Sequence, residues 1–210
     1  GQAFIVKKSL GVDSAKGLDG ASICMLTGGT SELTVQEYFA ANNMTYTPVI
    51  MSEGEEARNA FLADRCDAYS SDASSLAGFK ARQGDKGDEL VILPERMTAE
   101  PLGGVVRKGD ERWFDIVRWT HFALVTGEVM GIDSKNIDTL KDSTDPRVRR
   151  FLGLEGDLGA TLGLSNDFAY NVVKQVGNFG EMWDRNVIGV DRGLNNVWTK
   201  GGLHYAPPFR

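Results

Sequence analysis

Short apolar runs alternate with amphipathic stretches through the first half of the chain. The apolar runs have the length of buried strands, and they are Ala3 to Val6, Ala21 to Leu26, Tyr46 to Met51, Cys66 to Ser71 and Glu89 to Leu93. The stretches between them predict helices at Ser31 to Asn42, Glu53 to Arg65 and Asp72 to Arg82. This alternation is typical of a parallel sheet in an α/β fold. Pro48, inside the third run, favours an edge strand there.

The pattern changes near residues 95–107. One more apolar run, Leu102 to Val106, predicts a further strand, and a long helix is predicted over Arg112 to Met130. The rest of the chain has helical patterns without strand patterns, and Asp145-Pro146 is a typical helix start. The composition shift therefore predicts a boundary between two lobes.

Composition narrows the function classes. The chain has 210 residues, of which 41% are hydrophobic and 25% charged, so it can form one large domain or two lobes. A net charge of -6 and a pI near 5.0 argue against nucleic acid as a partner. No apolar run approaches the ~20 residues that span a bilayer. Cys24 and Cys66 allow one disulfide or two reduced thiols, and their number alone does not decide between these.

The strand Ala21 to Leu26 is followed by a tight turn that contains Gly28, Gly29 and Thr30. A helix pattern begins there, and the first turn of a helix has unpaired N–H groups and the positive end of the helix dipole. A small anion can bind at such a place, and the two glycines allow it close to the backbone. Thr30 could cap the helix or donate its hydroxyl to a ligand. The alternative is a well-capped strand-to-helix turn without a ligand.

Asp72 follows the strand Cys66 to Ser71 as the glycine turn follows its own strand. The carboxyl ends of parallel strands share one edge of the sheet, where ligands of α/β proteins bind. A helix N-terminus suits a carboxylate and an aspartate suits an ammonium group, which are the two charged groups of an amino acid. Alternatively, Asp72 caps the helix that follows it.

Catalytic and metal-binding patterns are weak. His121 lies within the long helical pattern and His204 in the terminal tail, so a Ser-His-Asp arrangement has no support in the spacing. Two histidines and two cysteines lie too far apart for a typical metal motif. The sequence predicts no catalytic residue, no metal and no cofactor.

Several segments resemble a known family. They are Gly1-Gln2-Ala3-Phe4-Ile5-Val6-Lys7-Lys8, the Leu26 to Glu32 turn, Arg65-Cys66-Asp67-Ala68-Tyr69 with Asp72, Pro101-Leu102-Gly103, Val106-Arg107-Lys108-Gly109-Asp110 and Tyr205-Ala206-Pro207-Pro208. The sequence resembles the general L-amino-acid-binding proteins, the periplasmic components of polar amino-acid ABC transporters (solute-binding protein family 3). The resemblance covers nearly all of the chain. It implies a two-lobed periplasmic binding protein fold of type II that closes around its ligand.

The resemblance also implies roles for particular residues. Thr30 and the backbone at Gly28 and Gly29 would hold the α-carboxylate, Asp72 the α-amino group, and Leu26 would line the pocket. Gly29 stands where the family often has threonine, which removes one side-chain contact. The periplasm is oxidising, so we expect Cys24 and Cys66 to form a disulfide between neighbouring strands.

Compared with this family, about a third of the chain would be missing at the front, including an arginine that grips the carboxylate. Gly1 also leads directly into an apolar run. We therefore expect lobe one to be incomplete. On this reading, residues 1–8 are a hinge strand, 9–94 lobe two with a parallel sheet core, 95–106 the return hinge, and 107–210 the mainly helical remainder of lobe one.

The implied function is capture of L-amino acids in the periplasm and delivery to the membrane permease, without catalysis. Two alternatives remain, a dehydratase-like enzyme derived from a binding protein and a sensory or assembly module that has lost its ligand. An incomplete lobe would also favour self-association or a companion chain that supplies the missing segment.

Overall fold

A computed structural model describes residues 1–187 and 190–209. The chain divides into two compact units, the first containing Gly1–Leu102 and the second Gly103–Asn186 with Asp191–Arg210. The hinge segments expected at 1–8 and 95–106 remain a prediction.

The strands of the first unit are β1 (Gln2–Lys7), β2 (Ser22–Leu26), β3 (Thr47–Met51), β4 (Ala68–Asp72) and β5 (Leu90–Ile92). Its helices are α1 (Thr30–Ala41), α2 (Gly54–Leu62) and α3 (Ala73–Arg82). The second unit contains α4 (Glu111–Val129), α5 (Pro146–Phe151), α6 (Leu158–Thr161), α7 (Phe168–Val176) and α8 (Phe179–Asn186).

The five strands form one sheet in the order β3-β2-β4-β1-β5. β2 is parallel to β3 and to β4, whereas β1 is antiparallel to both β4 and β5. The expectation of a parallel sheet is therefore wrong for β1. The alternation of strands and helices predicts direction only for strands joined by helical crossovers, and β1 pairs with strands that lie far from it in sequence. β3 is an edge strand, as Pro48 indicates.

Both faces of this sheet are covered. Successive side chains of β1 point to opposite faces, so that Ala3 and Ile5 enter a core with α2 and α3, whereas Phe4 and Val6 enter a second core with α1. The first core contains Phe61 and the second contains Phe39, and both rings are fully buried. The alternation fixes which residues of β1 face each helix layer.

Cys24 and Cys66 form a disulfide, with Cα atoms 5.7 Å apart. Cys24 is in β2. The sequence pattern predicted that Cys66 begins the next strand, but Cys66 precedes β4. The predicted pairing is confirmed. The bond joins β2 to the connection between α2 and β4.

The second unit is helical within its described residues, with one isolated bridge between Val197 and His204. Its core lies between α4, α5 and α7 and closes around the buried ring of Phe209. Asp145 caps α5 by accepting a hydrogen bond from the Arg147 N–H, as the Asp-Pro pair predicts. The strand predicted at Leu102 to Val106 is wrong. Leu102 and Val105 are 76% and 94% exposed, so no burial or sheet partner favours an extended ladder there.

Candidate functional site

The carboxyl ends of β2 and β4 lie side by side in the sheet of the first unit. The two strands pair in parallel, with Ile23 opposite Ala68 and Cys24 opposite Tyr69. Continuing this register sets Asp72 level with Thr27, the residue after β2. The glycine turn and Asp72 therefore meet at one edge of the sheet, as the sequence predicted.

The N-terminus of α1 opens at this edge. Gly28 has a φ of 70°, a conformation that glycine adopts without strain, and Gly29 is the N-cap with extended backbone. No side chain caps the helix, so its first N–H groups have no intrahelical partner. Thr30 is the first helical residue, so of its two possible roles, that of helix cap is wrong. Its side chain is exposed and lies in the first turn.

Asp72 ends β4 and is the N-cap residue of α3, yet its carboxylate does not cap that helix. The Gly1 carbonyl accepts a hydrogen bond from the Ala73 N–H at 3.0 Å instead. The half-buried carboxylate has no hydrogen bond or ion pair within residues 1–187 and 190–209. The alternative that Asp72 serves as a helix cap is thus contradicted by its geometry.

Gln2 connects the two parts of this edge, and it was not among the residues predicted from the sequence. Its Cα pairs with that of Asp72 across β1 and β4. Its buried side-chain amide donates to the Ser31 carbonyl at 3.2 Å and to the Ser70 hydroxyl at 2.9 Å. One side chain therefore spans from β4 to the first turn of α1. Only its position, directly before an apolar run, could have marked it as an inward-facing polar residue.

Leu26 and Gly29 complete the set of predicted site residues. Leu26 is the last residue of β2, half-buried, beside the start of α2 at Gly54. A β-carbon on Gly29 would find its nearest neighbour, the Ser31 nitrogen, at 3.9 Å. The glycine is therefore not required by crowding, and a threonine would fit at that position.

Two sets of ionisable side chains in the second unit, at Glu128 and at His121 with His204, have a clear structural environment. The Glu128 carboxylate, whose side chain is 5% exposed, binds Arg192 at 2.7 Å and Lys200 at 2.9 Å. His121 and His204 lie with ring centres 5.5 Å apart, and each also contacts the ring of Phe179. Burial, and secondly the neighbouring His204, lowers the pKa of His121. These contacts are those of packed side chains that join α4 to the chain after α8.

Residues 1–187 and 190–209 contain neither a candidate metal site nor a candidate membrane-spanning helix. No three His, Cys, Asp or Glu side chains there converge as they would around a metal ion. None of the helices is both long and apolar enough to cross a membrane.

No protein-family model matches the sequence. The glutamate/glutamine/aspartate/asparagine-binding protein BztA of Rhodobacter capsulatus is 52% identical over 216 residues, covering all of this chain and 64% of BztA. The general L-amino acid-binding periplasmic protein AapJ of Rhizobium johnstonii is 47% identical, with 63% of its length covered. A solved ABC transporter periplasmic binding protein from Brucella ovis, with glutathione bound, is 44% identical. It superposes with a TM-score of 0.95 over all of this chain and 68% of its own.

The chain therefore belongs to the family of ABC transporter periplasmic binding proteins, and it has their α/β fold. It spans about 64% of the length of the curated relatives that it matches.

Proposed function

We propose that this chain is the substrate-binding component of an ABC transporter, that it captures L-amino acids in the periplasm, and that it delivers them to a membrane permease. One observation carries the proposal. In a chain of this family, the Asp72 carboxylate is half-buried and has no partner among the described residues. Asp72 ends β4, and the neighbouring strand β2 leads to the uncapped N-terminus of α1.

The two charged groups of an α-amino acid match this pair of sites. The α-carboxylate binds the first N–H groups of α1 and the Thr30 hydroxyl, because unpaired donors and the helix dipole attract an anion. Gly28 and Gly29 expose the backbone to it. The α-ammonium binds the Asp72 carboxylate through charge-assisted hydrogen bonds. Leu26 contributes apolar surface beside them.

The names of the relatives favour a class of ligand over a single one. BztA is named for glutamate, glutamine, aspartate and asparagine, and the Brucella ovis protein holds glutathione. Glutathione carries a free α-ammonium and α-carboxylate on its glutamyl end, so all five compounds share one head group. We infer that the chain recognises this head group, and that free L-glutamate and glutathione are the first two ligands to compare.

Calorimetry with three matched compounds tests the proposal. L-glutamate should bind, whereas N-acetyl-L-glutamate lacks the ammonium and L-isoglutamine lacks the free α-carboxylate. Each lost charge should weaken binding by roughly 30-fold or more, equivalent to at least ~2 kcal/mol. Titrations should extend to millimolar concentrations, so that weak binding is measured. Equal affinity for all three compounds, or no binding of any L-amino acid, would overturn the proposed function.

Calorimetry and NMR on the same protein and ligands separate the alternatives. A dehydratase-like enzyme would convert the ligand, so an unchanged amino acid by NMR after long incubation supports a binding protein. A sensory or assembly module without a ligand would show no heat of binding to any amino acid or to glutathione. The proposal also includes a periplasmic location and binding to the permease. It includes self-association or a companion chain as well.

A further inference from the structure

We infer that Gln2 is a positioning residue that sets the separation between the two charged subsites, and so makes the site select α-amino acids over isomers with a more distant amino group. The inference rests on the proposed function. Gln2 is 1% exposed and yet carries a polar side chain. A buried amide in a strand needs partners, and these partners lie on two different elements.

The first partner ties Gln2 to the carboxylate-binding side. Its amide nitrogen donates to the carbonyl of Ser31, which belongs to the first turn of α1. The first N–H groups of that turn are the proposed donors to the anion. The hydrogen bond from Gln2 to the Ser31 carbonyl therefore fixes the position of these donors. The glycines before the turn restrain it little by themselves, because Gly28 and Gly29 are exposed and no side chain caps α1.

The second partner ties Gln2 to the ammonium-binding side. The same amide nitrogen donates to the Ser70 hydroxyl, two residues before Asp72 in β4, and that hydroxyl donates to the Ala3 carbonyl at 3.2 Å. Gln2 is also the register partner of Asp72, and the Gly1 carbonyl before it accepts the Ala73 N–H. The strand that holds Asp72 and the turn that holds the anion donors therefore share one buried link.

Replacement of Gln2 by methionine breaks this link without leaving an unpaired donor in the described structure. Methionine has a similar length and an apolar character that suits the core. The Ser70 hydroxyl still has the Ala3 carbonyl as an acceptor, and the Ser31 carbonyl still accepts from the Val35 N–H within the helix. The variant should therefore fold, while the first turn of α1 loses its tether to β4.

Gln36→Met is the matched control, because it makes the same chemical change at an exposed position of α1, the helix that Gln2 contacts. Both variants are measured in the 210-residue chain and in any longer form that the gene encodes. One readout is hydrogen exchange of the Thr34 and Val35 amides, which close the first turn of α1. The other readout is the affinity ratio between L-glutamate and its isomer β-glutamate, which is independent of the fraction of protein that is folded.

In Gln2→Met, we expect the Thr34 and Val35 amides to exchange about tenfold faster, with exchange at Phe39 unchanged. We also expect the preference for L-glutamate over β-glutamate to fall by about tenfold, equivalent to ~1.4 kcal/mol. Gln36→Met should change neither. If the wild type binds L-glutamate and Gln2→Met keeps the same affinity ratio, the role of Gln2 is overturned. Unchanged exchange of the first-turn amides in Gln2→Met overturns it as well. If the wild type binds no amino acid, the proposed function fails by itself, and the exchange of the Thr34 and Val35 amides still decides whether Gln2 holds the turn.

Discussion

Asp67 directly precedes β4 and Asp72 ends it, and the two carboxylates have different surroundings. The Asp67 carboxylate accepts hydrogen bonds from the Ser22 N–H and the Ser22 hydroxyl, and so joins the starts of β2 and β4. These bonds, the one from the Ser22 hydroxyl first, lower the pKa of Asp67 below its ordinary value. The Asp72 carboxylate has no such partner among the described residues. Asp67 is therefore a structural aspartate directly before β4, and Asp72 is a candidate ligand-binding aspartate at its end.

Asp72→Asn should weaken binding of L-glutamate by about 2–5 kcal/mol, because it removes a charge-assisted contact with the ammonium group. Its free energy of unfolding should stay within about 0.5 kcal/mol of the wild type, since no internal hydrogen bond is lost. Calorimetry and urea denaturation measure the two quantities. An affinity within threefold of the wild type would remove Asp72 from the site.

Asp67→Asn is the matched control for that prediction. It should lower the free energy of unfolding by about 1 kcal/mol and leave the affinity unchanged. Because the folded-state pKa of Asp67 lies below 3.8, its stabilisation is complete above pH about 4 and is lost as the pH falls further. The difference between wild type and variant should therefore shrink in acid.

At the residue scale, the sequence predicted Asp72 and the glycine turn as candidate site residues, because each directly follows a strand. It left open whether Thr30 caps α1 or donates its hydroxyl to a ligand, and the first alternative is wrong because Gly29 is the N-cap residue. It missed Gln2 because the partners of this side chain lie 29 and 68 residues away. Hydrogen bonds of that separation leave no local pattern, so only the folded register reveals them.

Among the elements, the helices α1 to α4 and the edge position of β3 followed from periodicity, from caps and from Pro48. The antiparallel direction of β1 could not be predicted, because it depends on pairing with β4 and β5, which lie far along the chain. The strand predicted at Leu102 to Val106 is wrong for a different reason, which is local composition without burial. Its apolar residues have strand-like composition, but they are largely exposed, and β-propensity without burial does not make a strand.

Reduction of the Cys24–Cys66 disulfide should destabilise the first unit more than it affects the ligand site. The bond closes a loop with a sequence separation of 42, which corresponds to about 4 kcal/mol in the chain-entropy description. Urea denaturation of the wild type with and without reductant measures this. A Cys24→Ala/Cys66→Ala double variant, insensitive to reductant, is the control. A loss below about 1 kcal/mol would show that the connection before β4 is held by its other contacts.

Glu128 on α4 should hold the chain after α8 in place. Burial acts to raise the pKa of Glu128, but hydrogen bonds and charges of Arg192 and Lys200 outweigh it and keep this pKa below its ordinary value of 4.5. Glu128→Gln leaves the largely buried Arg192 without its counter-charge, so the free energy of unfolding should fall by about 2 kcal/mol or more.

Asp115→Asn, on the same helix but in an exposed pair with Arg118, is the control and should cost about 0.5 kcal/mol or less. The contribution of Glu128 is present above pH 4.5 and is lost as the pH falls below this value. Chemical denaturation at neutral and acidic pH measures both effects. Equal losses in the two variants would mean that burial does not strengthen the Glu128 interactions.

For the whole molecule, exposed apolar side chains predict self-association. Val105 is 94% exposed, and Trp113 and Phe114 on α4 are 51% and 43% exposed. Apolar surface of this kind promotes contact between chains. Light scattering coupled to size exclusion should show a mass above 22.9 kDa that falls on dilution. Trp113→Lys/Phe114→Lys should shift the population toward the monomer, whereas Lys80→Ala in α3 should not. A monodisperse wild-type monomer at high concentration would contradict this prediction.

The affinity of the 210-residue chain for L-amino acids should be modest. Its candidate subsites belong to the first unit, where Gly28, Gly29 and Thr30 are exposed and Asp72 is only half-buried. Tight sites for small ligands bury 70–90% of the ligand surface, because contacts in water-excluded surroundings are stronger. We therefore expect a Kd for L-glutamate weaker than about 1 μM, which corresponds to about 8 kcal/mol. Calorimetry on the 210-residue chain and on any longer product of its gene measures this. A Kd well below about 1 μM for the 210-residue chain would show that its own residues enclose the ligand.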